Sequence, residues 1–180
     1  MGISSNSIVH FTKAKDALKG ILSEGFKIKY CREDFPMSDE LFSYYVPMVS
    51  FCDIPFSQVG KHLSSYGCYG IGLTREWAIK HRLNPVLYVQ KGSNFAESYA
   101  EAVHYFMALE NSNDFDFWRR KATEQLFEVF RYAKQYEGTL KRSNGNEIES
   151  YRFSDEREWR YVPPLDTDGV FAYSVKQYAS

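Results

Sequence analysis

From Glu97 to about Glu137 the apolar residues recur with a helical period, while the stretches on either side carry short apolar runs rich in β-branched and aromatic side chains. Strands at both ends with helices inserted between them predict an α+β fold, in which distant strands meet in a mixed β-sheet around a cleft. Within the helical middle, Tyr99, Val103, Phe106 and Met107 make one stripe. Phe115, Trp118, Ala122, Leu126, Val129, Phe130 and Ala133 make another, with Asn111 to Asp114 as the break. A chain of 180 residues suits one domain, so residues 1–180 are read as a single unit with a single site.

The strand-type runs have recognisable punctuation. Ser7 to Thr12 is a short β-rich run, followed at once by a helix whose Ala14, Ala17, Leu18, Ile21 and Leu22 share a face, with Thr12 as its cap and Gly25 as its end. Tyr30 to Tyr45 is polar, contains Pro36 and shows no period, which predicts a loop. Val46 to Phe56 predicts a buried strand leaving through a turn at Asp53 to Pro55, and Gly67 to Leu73 a glycine-rich strand. Thr74 then caps a short helix that Asn84-Pro85 stops, and Val86 to Val89 is a further strand. Strand patterns return at Tyr151 to Val162 and at Val170 to Tyr173.

Charge and cysteine content remove several function classes. A net charge of -1 supplies no global basic field for non-specific nucleic-acid binding. Three cysteines, odd in number and scattered, together with no signal-like N-terminus and no long apolar stretch, predict a soluble protein of the reducing cytoplasm with no membrane span. The four histidines and three cysteines show no metal-ligand spacing, so no metal is expected. Walker, dinucleotide-fingerprint and Gly-x-Ser-x-Gly patterns are absent.

The chemistry-bearing candidates lie on the predicted strands. If Glu156 to Arg160 is extended, Glu156, Glu158 and Arg160 share one face and Arg157, Trp159 and Tyr161 the other. Two carboxylates beside a guanidinium can supply a proton acceptor or stabilise a developing cation; the plain alternative, commoner for such faces, is a solvated strand with cross-strand salt bridges. His10 is either a hydrogen-bonded strand histidine or a ligand contact. Ser50 is open to the same two readings. Tyr66 and Tyr69 flank Gly67, and rings there can pack in the core or stack on a ligand.

Several of these runs occur together in a known family. Ile8-Val9-His10-Phe11-Thr12, Val46-Pro47-Met48-Val49-Ser50-Phe51-Cys52-Asp53-Ile54-Pro55, Tyr66-Gly67-Cys68-Tyr69-Gly70-Ile71-Gly72-Leu73, Asn84-Pro85-Val86-Leu87-Tyr88 and Glu158-Trp159-Arg160 together resemble the AbiGi family of bacterial abortive-infection proteins. That resemblance implies one member of a phage-resistance toxin–antitoxin pair, with a cognate partner protein and an antitoxin label that specifies no chemistry.

A second resemblance is to ADP-ribosyltransferases, including the DarT-like nucleic-acid-modifying toxins, through the order His10, then Ser50 or Tyr66, then Glu158, and through the Glu-x-Glu element Glu156-Arg157-Glu158. It implies a sheet split around an NAD-binding cleft, with Glu158 as the catalytic carboxylate and Glu156 on the acceptor side. NAD, as substrate, would be held by His10, Phe11, Thr12, Ser50, Phe51 and Tyr66 or Tyr69. The implied function is an NAD-dependent mono-ADP-ribosyltransferase toxin acting on a protein or nucleic-acid acceptor. A catalytically silent antitoxin is the alternative from a different class.

Overall fold

A computed structural model of the chain describes residues 6–37, 40–60, 63, 66–110, 117–141, 145–164 and 173–174. Its class is α+β. The chain divides into two compact units, the first made of Met1–Lys29, Met48–Val86 and Glu137–Val162 and the second of Tyr30–Pro47, Leu87–Tyr136 and Pro163–Ser180.

In the first unit, β1 (Ser7–Thr12) leads into α1 (Lys15–Glu24), which ends at Gly25 with φ 85°. Ala14, not Thr12, occupies the N-cap, and no side chain caps there. The sheet has the order β4 (Tyr69–Thr74), β1, β3 (Glu40–Cys52), β10 (Glu158–Tyr161) and β5 (Asn84–Pro85). Every adjacent pair is antiparallel. Thr74 accepts from the Trp77 backbone N–H at 3.1 Å and so starts α2 (Arg75–Lys80), as the sequence predicts. Behind it, Ile8, Val49, Phe51, Ala78 and Leu83 form a buried cluster that Phe26, Leu73, Trp77, Trp159 and Tyr161 extend. The hairpin of β8 (Glu137–Lys141) and β9 (Glu147–Arg152) completes this unit.

One glycine is obligatory. Gly67 has φ 108°, and a Cβ there would lie 2.3 Å from the Thr12 carbonyl oxygen, so only glycine lets the chain pass the end of β1 into β4. The close approach is to neighbouring backbone.

The second unit holds β2 (Lys29–Met37), the first part of β3, the parallel pair β6 (Leu87–Val89) and β7 (Ala133–Gln135), and the helices α3 (Asn94–Glu110) and α4 (Phe117–Phe130). A short strand β11 (Tyr173–Ser174) pairs with Tyr45 and Tyr44 of β3. Phe35, Tyr44 and Phe130 pack as rings, with Tyr44 and Phe130 centroids 4.2 Å apart. The Tyr44 hydroxyl lies 3.1 Å from the Phe130 carbonyl, and the Tyr99 hydroxyl ties α3 to the Leu126 carbonyl of α4 at 2.8 Å. Burial raises the Tyr99 hydroxyl pKa well above its ordinary value.

Four expectations are corrected here. Within Tyr30 to Tyr45, residues 30–37 and 40–45 are strand rather than loop: a continuous polar run at Arg32-Glu33-Asp34 leaves no strand period to read, and the structure comes from pairing β2 to β3. The registered pairs of the main sheet are antiparallel rather than mixed, and among the described residues the parallel pair β6 and β7 forms its own two-stranded sheet. Glu156 to Arg160 is not one strand, because a 3-10 turn (Phe153–Glu156) and left-handed Arg157 precede β10. Trp118 and Val129, placed on an apolar stripe, are 72% and 48% exposed. Phe115, Asn111 to Asp114 and Val170 to Ala172 lie outside the described residues.

Candidate functional site

Register decides which candidate residues can meet. Cys52 stands opposite Val9 on one side and Glu158 on the other, and Ser50 opposite Arg160. Since paired residues of an antiparallel sheet share a face and neighbours along a strand alternate, Val9, Phe11, Ser50, Cys52, Glu158 and Arg160 project from one face. Ile8, His10, Thr12, Val49, Phe51, Trp159 and Tyr161 project from the other. Thr12 faces Tyr69 across β1 and β4, so Tyr69 joins the second set. The expected NAD-binding group is therefore divided by the sheet: His10, Thr12, Phe51 and Tyr69 lie on one side, Phe11, Ser50 and Glu158 on the other.

On the first face the charges are engaged internally. Glu158 is 4% exposed and Arg160 fully buried; the Arg160 Nε donates to Glu158 Oε1 at 2.6 Å, and its Nη2 approaches Oε2 at 3.4 Å. In such a buried pair each partner offsets the other's desolvation, which makes the pair costly to break. Just before it, Glu156 is 3% exposed and accepts a hydrogen bond from the Tyr66 hydroxyl. Tyr66, for which core packing and ligand stacking were both open, uses its polar end to satisfy a buried carboxylate. The Arg157 carbonyl accepts from the Asp53 backbone N–H at 3.1 Å, and buried Asp53 accepts from Arg75 Nη2 at 2.6 Å. The Arg75 guanidinium in turn sits 5.7 Å from the Trp159 ring centroid. These bonds hold the turns after β3 and before β10 together.

His10 looks onto the second face. Its Nδ1 lies 2.8 Å from the Ser50 carbonyl, an acceptor only, so Nδ1 carries the proton. The ring meets Phe26 and Phe51 edge-on at 5.3 and 5.6 Å. Burial, aided by the charge of Lys29, lowers its pKa below 6.5, against the opposing pull of the Ser50 carbonyl. It is a largely neutral strand histidine near neutral pH.

Beside it opens a groove of about 380 Å³. Its floor is Val49, Phe51 and Tyr161; Phe26 and Ile28 form one wall, and Trp77, His81 and Leu83 the other. Trp77 and His81, one helical turn apart, stack with centroids 4.2 Å apart at 24°, and His81 Nδ1 donates to the Trp77 carbonyl at 2.8 Å. The volume falls in the range of small-ligand pockets, about 300–1,000 Å³. Apart from Phe51, already a candidate, these groove residues escape a search for charged constellations. Their signal is weak: alternating Phe26-Lys27-Ile28-Lys29 after the Gly25 helix stop, and an aromatic pair at i, i+4. Among the described residues, no group of three or more His, Cys, Asp or Glu is placed to hold a metal ion, and no helix is long and apolar enough to cross a membrane.

Comparison with known proteins adds a family-level finding. A family model described as "Putative abortive phage resistance protein AbiGi, antitoxin" matches residues 24–178. The abortive phage resistance protein AbiGi of Lactococcus lactis subsp. cremoris is 29% identical over 150 residues, 78% of this chain. The chain spans 59% of that relative's length. No solved structure matches, so the DarT-like resemblance gains no support. The expected ADP-ribosyltransferase toxin is corrected: the matching family is described as the antitoxin side of such a system.

Proposed function

As the chain belongs to the AbiGi family of abortive phage resistance proteins, we propose that it is the antitoxin member of a toxin–antitoxin pair, restraining a cognate toxin until phage infection. The observation that carries this reading is the match of the antitoxin family model over residues 24–178, which includes most of both units. The geometry is compatible with it. The carboxylates that suggest chemistry are buried against Arg160 and Tyr66, and the first unit has an open apolar, aromatic groove of the kind that accepts a side chain from another protein.

The test is growth. Expression of the toxin encoded beside this chain should arrest growth, and co-expression of the chain should restore it, while the chain alone leaves growth unaffected. Arrest caused by the chain alone, or toxin arrest unrelieved by it, contradicts the reading.

A further inference from the structure

The groove is lined by apolar and aromatic side chains together with His81, and the segments that contribute them also carry exposed cations. The two segments that wall it, residues 26–29 and 77–83, contain Lys27, Lys29, Lys80 and Arg82 and no acidic residue, and all four cations are exposed. Lys27 meets Glu24 at 2.6 Å, both exposed, a contact of the weak surface kind. At the lip, Ile28 is 46% exposed and exposed His81 stacks on Trp77. An apolar residue so placed between two lysines gains burial when another apolar group covers it.

We propose that this groove is where the chain docks its toxin, and that the occupant is an acidic segment of that protein carrying a large apolar or aromatic side chain. The proposal rests on the antitoxin reading. Exposed cations on the segments that form the groove attract an acidic segment and speed its encounter, while Phe26, Phe51, Trp77 and Tyr161 enclose a bulky side chain in the manner of an interface hot spot. Single-stranded nucleic acid, whose bases stack on exposed rings beside cations, is the competing occupant, and the antitoxin reading favours a protein segment over it.

The experiment measures binding of the purified toxin to the chain by titration calorimetry at low and high salt. The wild-type chain should form a complex that weakens with salt. Ile28→Asp, which places a like charge before the acidic segment at a half-exposed site, should weaken it by about 30-fold or more, the range of an interface hot spot. Lys80→Glu/Arg82→Glu should weaken it about tenfold and flatten the salt dependence. Both variants should melt near the wild-type temperature, and Trp118→Ala, in the second unit, should bind normally. Undiminished affinity in Ile28→Asp overturns the proposal. So does protection from the toxin in the growth assay without any complex, an outcome that leaves the antitoxin reading standing; loss of protection by the wild-type chain removes that reading itself. A labelled single-stranded RNA of 12 nucleotides that binds the wild type and loses affinity in Ile28→Asp, while toxin affinity is unchanged, overturns the proposal in favour of RNA.

Discussion

Along β10, alternate residues have opposite surroundings. Glu158 and Arg160 turn to the face where Ser50 and Cys52 also point, and there they neutralise each other out of contact with water. Trp159 and Tyr161, one residue away each, join the aromatic cluster on the other face, and Tyr161 forms part of the groove floor. The charged face looks chemical in a list of residues and is occupied with holding strands and turns in place. The aromatic face looks like ordinary core and contains the opening. Concentrated charge is a poor guide to function when the fold supplies each charge with a buried partner.

Breaking the charged face should produce the largest effect. Arg160→Leu removes the guanidinium from buried Glu158 and should cost about 3–5 kcal/mol in urea unfolding, whereas Glu158→Gln/Arg160→Met should recover most of that loss. A mild Arg160→Leu would mean that the pair is solvated and available. Tyr66→Phe should cost about 1–3 kcal/mol, because the Glu156 carboxylate loses a hydrogen bond where water does not replace it; unchanged stability would return Tyr66 to the role of a ligand-stacking ring. Thr74→Ala should cost about 1 kcal/mol through loss of the cap on α2, the helix that carries Trp77. Chemical denaturation checks each.

The smallest effect concerns His10, which faces Phe26 and Phe51, bonds the Ser50 carbonyl and feels Lys29. Its pKa is lowered by burial in the folded chain, so between that value and 6.5 the unfolded chain binds more protons. Its contribution is fully present above about pH 6.5, the unfolded value, and declines as the pH falls toward the lowered folded value. Stability measured from pH 7 to 5 should therefore fall, and His10→Gln should reduce the slope. An unchanged slope in the variant would assign the dependence to other groups.

Much of the fold was legible in residues. Ser7 to Thr12, the Gly25 stop and the Thr74 cap are local signals that emerge as read, because turn geometry and helix ends are decided by a few neighbouring residues. The long pairing of β2 with β3 was not legible, since strand partners are chosen across the fold rather than by local period. The site divided in the same way. Parity correctly placed Glu158 and Arg160 together, but could not extend to Glu156, where left-handed Arg157 breaks the alternation. Nor could it show that β1 meets β3 with Val9, not His10, opposite Cys52, the register that sends His10 and Glu158 to opposite faces.

The central claim is that the charged face supports the fold while the aromatic face meets the partner. Growth protection against the toxin, measured side by side for Glu158→Gln/Arg160→Met and Ile28→Asp at equal levels of folded protein, tests it most directly. Full protection by the first variant and loss of protection by the second is the predicted result; protection lost in the first and kept in the second would contradict the account.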